Sequence, residues 1–209
     1  DDEHFMYVSC WKYQGEDKKP ELLKEELKYV ENYLKLTELR FPGCLNWKIH
    51  VDEECRNASV FPIILLMFTE NTIKHNMIMG ESLRVRITGS LVEHDGEKYV
   101  VLIHLDSGSG YFEEDLEYLN RPVSQQLHDF NGKKIGTYNL LKRLYLVYGE
   151  KAHVHFSNEP GWGAKSEITI PYIPYREDAN PPESKIEKSE PLFSHASDIP
   201  PVPGKRNES

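Results

Sequence analysis

From Val60 to Phe68 every residue except Pro62 is apolar, and the next three are Thr69, Glu70 and Asn71. A helix over this stretch has no wet face at its start, so it must be buried there and can surface only where the polar residues begin. The run is too short for a membrane span, which takes about 20 apolar residues. The pattern predicts a helix from about Pro62 to Met79, buried at its start in a globular core and surfacing at a site.

Periodicity supplies the other elements. Leu23, Leu27, Val30 and Leu34 step by four, three and four with charged residues between them, predicting an amphipathic helix from Glu21 to about Leu39. Pro20 suits its first turn, and Phe41-Pro42-Gly43 stops it. Leu45–Val51 alternates as a half-buried strand. Leu83–Thr88 and Tyr99–Leu105 read as two strands of a hairpin turning near Asp95-Gly96. Glu113–Asn120 is a short acidic helix, Arg121–Ile135 a long mobile loop, and Tyr138–Tyr148 a helix again. Ala152–Phe156 and Glu167–Ile173 alternate as the last two strands. Helices gathered against one mixed, mostly antiparallel sheet make a two-layer α+β sandwich.

The chain has 209 residues, room for one domain of about 150 residues and an appendage. After Pro174, Pro, Ser, Glu and Lys dominate; such a stretch buries too little apolar surface to offset its ordering entropy, so residues 174–209 are expected to be a disordered tail. The net charge of −9 argues against a nucleic-acid surface, though not against a nucleotide, whose phosphates need only a local cradle and a metal ion. Cys10, Cys44 and Cys55 form no CxxC pair, which fits a reduced, cytoplasmic setting. Asp1-Asp2-Glu3 lacks the basic start of a signal peptide.

Four segments carry chemistry. In Glu70-Asn71-Thr72-Ile73-Lys74-His75-Asn76, residues four apart share a helix face, pairing Asn71 with His75 and Glu70 with Lys74. An amide oxygen is a hard ligand suited to Mg²⁺, and Lys or His can meet phosphate oxygens. The same residues also read as a polar helix end stabilised by its own pairs. Asp106-Ser107-Gly108-Ser109-Gly110 places a carboxylate at a strand end, able to accept from an adenine amino group, or else to cap a tight turn. Gly132-Lys133-Lys134-Ile135-Gly136-Thr137-Tyr138-Asn139 leads a glycine-containing loop into a helix start, where free N–H groups favour an anion. Gly161-Trp162-Gly163-Ala164 is a glycine hairpin.

In this order and spacing the four segments resemble the ATP-binding fold shared by histidine kinases, gyrase and MutL. Leu27-Lys28-Tyr29-Val30-Glu31-Asn32-Tyr33-Leu34 followed by Arg40-Phe41, then Glu70-Asn71-x-Ile73-Lys74-His75, then Arg143-Leu144 with Tyr148-Gly149, resemble the LytS-like and YesM-like sensor histidine kinases over roughly residues 20–173. The resemblance implies ATP and Mg²⁺ as ligands, with Glu70, Asn71, Lys74 and His75 as the catalytic set and Asn71 on the metal. It implies a nucleotide pocket of Asp106, Gly108, Gly110, Gly136, Thr137 and Asn139, with Asp106 on the adenine amino group. It further implies transfer of the ATP γ-phosphoryl group to a histidine, a phosphoacceptor domain and a response regulator as partners, a homodimer in the full-length protein, and a cytoplasmic portion of a membrane-anchored sensor. Residues 1–19 would be a remnant of the dimerisation and phosphoacceptor region; His4 falls there, in Glu3-His4-Phe5-Met6-Tyr7, but is read as a surface histidine, with the acceptor expected elsewhere.

The chain departs from the family pattern at identifiable positions. Asp-Asn-Gly is Asp106-Ser107-Gly108, and Gly-x-Gly-Leu-x-Asn is Lys134-Ile135-Gly136-Thr137-Tyr138-Asn139. Glu70-Asn71-Thr72-Ile73-Lys74-His75 stays close to the family's Glu-Asn-Ala-Ile-Lys-His, while the Gly-Thr of the last hairpin becomes Gly163-Ala164. These changes leave open a second reading, a degenerate non-catalytic module that keeps the fold for protein–protein signalling.

Overall fold

The computed structural model describes residues 20–122, 125 and 135–175. The remnant expected at 1–19 with His4, most of the loop 121–135 with Lys134, and the tail beyond Tyr175 lie outside the described residues.

In chain order the elements are β1 (Glu21–Leu22), α1 (Leu23–Arg40), β2 (Leu45–Val51), α2 (Glu53–Arg56), β3 (Ser59–Val60), α3 (Ile64–Asn76), β4 (Leu83–His94), β5 (Glu97–Asp106), α4 (Glu113–Leu119), α5 (Ile135–Tyr148), β6 (His153–Asn158) and β7 (Ala164–Pro171). The five-stranded sheet runs β2-β4-β5-β7-β6. Only the β2–β4 pair is parallel; β4–β5, β5–β7 and β6–β7 are antiparallel.

One face of the sheet is covered by helices. Val85, Ile87, Val100, Leu102, Phe156, Ile168 and Ile170 form one core with Leu23, Leu27, Val30 and Leu34 of α1, Ile64, Leu65 and Phe68 of α3, and Leu140, Leu141 and Leu144 of α5. Between these strand positions, Arg84, Arg86 and Ser90 of β4 and Asn46, Lys48 and His50 of β2 are exposed on the other face. This is the expected two-layer sandwich. The tip of the β6–β7 hairpin folds back onto that open face. Trp162 there lies under the guanidinium carbons of Arg84 and Arg86, 4.4 and 4.7 Å from its ring centroid, and Arg84 Nη2 donates to the Gly161 carbonyl at 2.8 Å.

The boundaries differ from expectation for physical reasons. Glu21–Leu22 pairs with Ser59–Val60 in a separate two-stranded sheet, too short to show a period. α3 begins at Ile64, because Ile63 takes a left-handed conformation (φ 73°) and Pro62 precedes it. It ends at Asn76, before Gly80. β4 runs on to His94, six residues past Thr88, as a projecting ribbon paired with β5 and exposed at its tip. β7 starts at Ala164, because Ala164–Thr169 pair with β6. The ordered chain also passes Pro174, which bridges to Ala58, while the Tyr175 N–H donates to the Asn57 carbonyl at 3.2 Å.

Candidate functional site

The site is built at the C-terminal end of β5, where Asp106 shares the helix-facing side with Leu102 and His104. Asp106 is 3% exposed. Its Oδ2 accepts the Thr72 hydroxyl at 2.8 Å, its Oδ1 accepts the Gly108 N–H at 2.9 Å, and the backbone of Ala164 contributes a further hydrogen bond. Burial pushes the Asp106 carboxyl above its usual range, and these donors pull against that rise. A buried carboxylate aimed by three donors from α3, its own loop and β7 is a pre-oriented acceptor.

The glycine loop after Asp106 is clasped on both sides. Asn76, at the end of α3, accepts the Ser109 N–H at 3.1 Å, and its side chain fills the space a Cβ at Gly108 would need. A Cβ at Gly163 would meet the carbonyl oxygen of Gly108, so the hairpin passes the loop at backbone contact. Gly110 lies against Asn158, whose side chain accepts the Tyr111 N–H at 2.8 Å and donates to the Tyr111 carbonyl at 2.9 Å. Tyr111 turns inward, its hydroxyl 2.7 Å from Ser166 Oγ and its ring edge-on to Phe156 at 5.6 Å.

The expected residues divide into groups. Asp106 and Gly108 meet α3 through Thr72 and Asn76, whereas Gly110 packs on Asn158 of β6. On that helix Phe68, Thr72 and Asn76 form the row facing the sheet, and Asn71 is the half-buried neighbour of Thr72, about 100° around the axis. Lys74 and His75 are exposed in the last turn. Glu70 is half-buried on the α1 side; burial raises its carboxyl, and with burial it helps push the Tyr33 phenol up to about 12. Gly136, Thr137 and Asn139 open α5, exposed or half-buried, and among the described residues none of them hydrogen-bonds the Asp106 loop. The far end of α5 is pinned to the start of α3 by the Phe61 N–H donating to Tyr148 Oη at 3.0 Å, so Gly136 lies about 18 Å along the helix from that anchor.

Two buried polar residues escaped the sequence reading. Glu26 of α1 is fully buried and accepts the N–H groups of Ile63 at 2.6 Å and Leu66 at 3.1 Å. It supplies the cap that α3 lacks and holds Ile63 in its left-handed conformation, which costs of order 1–3 kcal/mol for a non-glycine residue. The signal was present: position 26 falls on the stripe of Leu23, Leu27, Val30 and Leu34. His104, on β5, is 2% exposed, its Nε2 has no hydrogen-bond partner among the described residues, and burial pulls it down to about 4, so it is neutral. Thr72, Asn76 and Asn158 were likewise invisible, because their partners lie 34, 33 and 47 residues away.

No family model matches the chain. The LytS sensor protein of Oceanobacillus iheyensis is 30% identical over 151 residues, 72% of this chain and 25% of that protein. The LytS sensor protein of Staphylococcus haemolyticus is 29% identical over 136 residues, covering 65% and 22%. The sensor kinase HptS of Staphylococcus aureus is 27% identical over 149 residues, covering 71% and 27%. The chain thus spans about a quarter of the length of the sensor proteins it matches. Among solved structures, the catalytic domain of histidine kinase ThkA superposes with a TM-score of 0.53 at 18% identity, over 75% of this chain and 98% of that domain.

The fold is therefore similar to that of a histidine-kinase catalytic domain. Over the matched residues the chain is a homologue of the LytS and HptS sensor proteins. Among the described residues no helix is long and apolar enough to cross a membrane.

Proposed function

We propose that residues 20–173 bind Mg-ATP and transfer its γ-phosphoryl group to a histidine held outside this stretch, as the catalytic domain of a two-component sensor kinase. The observation that carries the reading is the buried carboxylate of Asp106, aimed by Thr72, Gly108 and Ala164 beside a helix bearing Asn71. Such an acceptor suits the amino group of adenine, and no cationic side chain is hydrogen-bonded to it among the described residues.

Asn71 sits one residue from the Asp106 contact, and its neutral amide oxygen would hold Mg²⁺. No group of three or more His, Cys, Asp or Glu forms a metal cage among the described residues, so the ion would rest on Asn71, phosphate oxygens and water. Bound there, it would neutralise the phosphate charge that builds during transfer. Exposed Lys74 and His75 would meet phosphate oxygens, and Gly136, Thr137 and Asn139 would offer the start of α5 to the same anion. Glu70, with its raised carboxyl, would orient a metal-bound water or take a proton. The protein's contribution is then positioning and charge neutralisation. In the full-length protein this domain would work in a homodimer, on the cytoplasmic side of a membrane-anchored sensor, against a phosphoacceptor domain and then a response regulator.

Isothermal titration of ATP and ADP with Mg²⁺ into wild type and Asp106→Asn tests this. The variant should lose at least about tenfold in affinity, one charge-assisted hydrogen bond's worth. Equal binding by both refutes the assignment. No binding by wild type at millimolar ATP would favour the non-catalytic module that the altered glycine positions suggest.

A further inference from the structure

The core contains three buried helix threonines, and they behave differently. Thr37 and Thr69 return their hydroxyls to the carbonyl four residues back, Tyr33 and Leu65, each at 2.8 Å. Thr72 does not. Its hydroxyl leaves the helix and donates to Asp106 Oδ2 across 34 positions of sequence, at 2.8 Å and with both residues buried. The position is also one where the chain departs from the family it resembles, which has alanine after Glu-Asn. A second departure faces the same carboxylate from the other side. Where the family has threonine in the last hairpin, this chain has Ala164, whose backbone bonds Asp106 and whose side chain is buried.

We propose that Thr72 is a positioning residue for the base-reading carboxylate of Asp106. The inference rests on the nucleotide reading above. An ionised carboxylate offers about four acceptor positions. Thr72 and Gly108 hold one oxygen each and the Ala164 backbone lies against the same carboxylate, which narrows the direction open to an incoming N–H. Without a hydroxyl on Oδ2 the carboxylate is freer to rotate and its charged form is less well supported. A threonine at 164 would restore one, because its backbone already touches Asp106.

The test is a Mg-ATP and Mg-ITP titration over pH 5 to 8 with wild type, Thr72→Val, Thr72→Ser, Ala164→Thr and the Thr72→Val, Ala164→Thr double variant; thermal unfolding checks each fold, with Thr72→Ala in reserve. Thr72→Val should weaken ATP about tenfold, narrow the preference for ATP over ITP (which has no amino donor), and move the acid limit of binding to higher pH. Thr72→Ser should keep wild-type behaviour, and the double variant should recover most of the loss. A change in packing alone would leave the ATP-to-ITP ratio and the acid limit where they were. Thr72→Val, or Thr72→Ala, matching wild type on all three readouts overturns the proposal. If Asp106→Asn still loses ATP in that case, the nucleotide reading survives, whereas wild type failing to bind sinks both.

Discussion

The carboxyl of Glu26 accepts the N–H of Ile63 at 2.6 Å, joining the first turn of α1 to the residue just before α3. α3 carries Asn71 and Thr72, so its position relative to β5 depends on a buried titratable group of α1. Burial, the largest effect, pushes Glu26 up to about 7. The folded state therefore holds a proton that the unfolded chain has released. Stability from this group falls as pH rises from about 4.5 to about 7 and is level above, a change of order 3 kcal/mol.

Glu26→Gln tests that coupling. The amide keeps one acceptor oxygen for two N–H groups, so one buried donor is orphaned, at about 1–3 kcal/mol. The variant does not titrate. Its deficit against wild type should be clear in urea unfolding at pH 5 and should narrow or reverse by pH 8. A deficit that widens with pH would contradict the assigned protonation.

His104 has the opposite sign. It is fully buried, its ring 6.2 Å from that of Phe68, and its pKa lies at about 4, below the usual 6.5. The unfolded chain takes a proton that the fold refuses, so stability is lost as pH falls from about 6.5 to about 4, by roughly 3 kcal/mol. His104→Leu keeps the bulk and removes an Nε2 that has no partner among the described residues. It should gain about 1 kcal/mol at pH 7 and more at pH 5, read by thermal unfolding. A loss at both values would mean that Nε2 has a partner, such as a buried water.

How far the fold could be read depended on the range of the interactions. The stripe on α1, the apolar start of α3 and the Asp95-Gly96 turn are local patterns, and each appears where periodicity places it. Asp106 at a strand end followed by glycines was legible for the same reason. The orientation of Asp106 was not, since Thr72 and Ala164 reach it from other parts of the chain. Glu26 looked like one more helix charge, although its place on the apolar stripe marked it as buried. α2 and the β1–β3 pair are single-turn or two-residue elements stabilised by neighbours, and no period can show them.

Gly163 and Gly108 make a graded pair. A Cβ at Gly108 meets the Asn76 side chain, which can swing away at the cost of its bond to Ser109. A Cβ at Gly163 meets the backbone carbonyls of Gly108 and Asp106, which cannot yield without moving the loop. Gly163→Ala should therefore destabilise more, by about 2–3 kcal/mol against about 1 for Gly108→Ala, and should weaken nucleotide binding further. Chemical denaturation and the same titrations give both rankings, and the reverse order would contradict the contact geometry.

Asn71 and Asp106 are assigned to opposite ends of one ligand, and removing the metal can separate them. Asp106 would read the base, so Asp106→Asn should weaken ADP by a similar factor in excess Mg²⁺ and in excess chelator. Asn71 would act only through the ion, so Asn71→Ala should weaken Mg-ADP about tenfold yet leave metal-free ADP unchanged. Thr72 lies between them on α3 and touches Asp106, so a general disturbance of the helix would impair binding in both conditions. If Asn71→Ala lowers affinity equally with and without Mg²⁺, the ion is held elsewhere and Asn71 supports the pocket by packing alone.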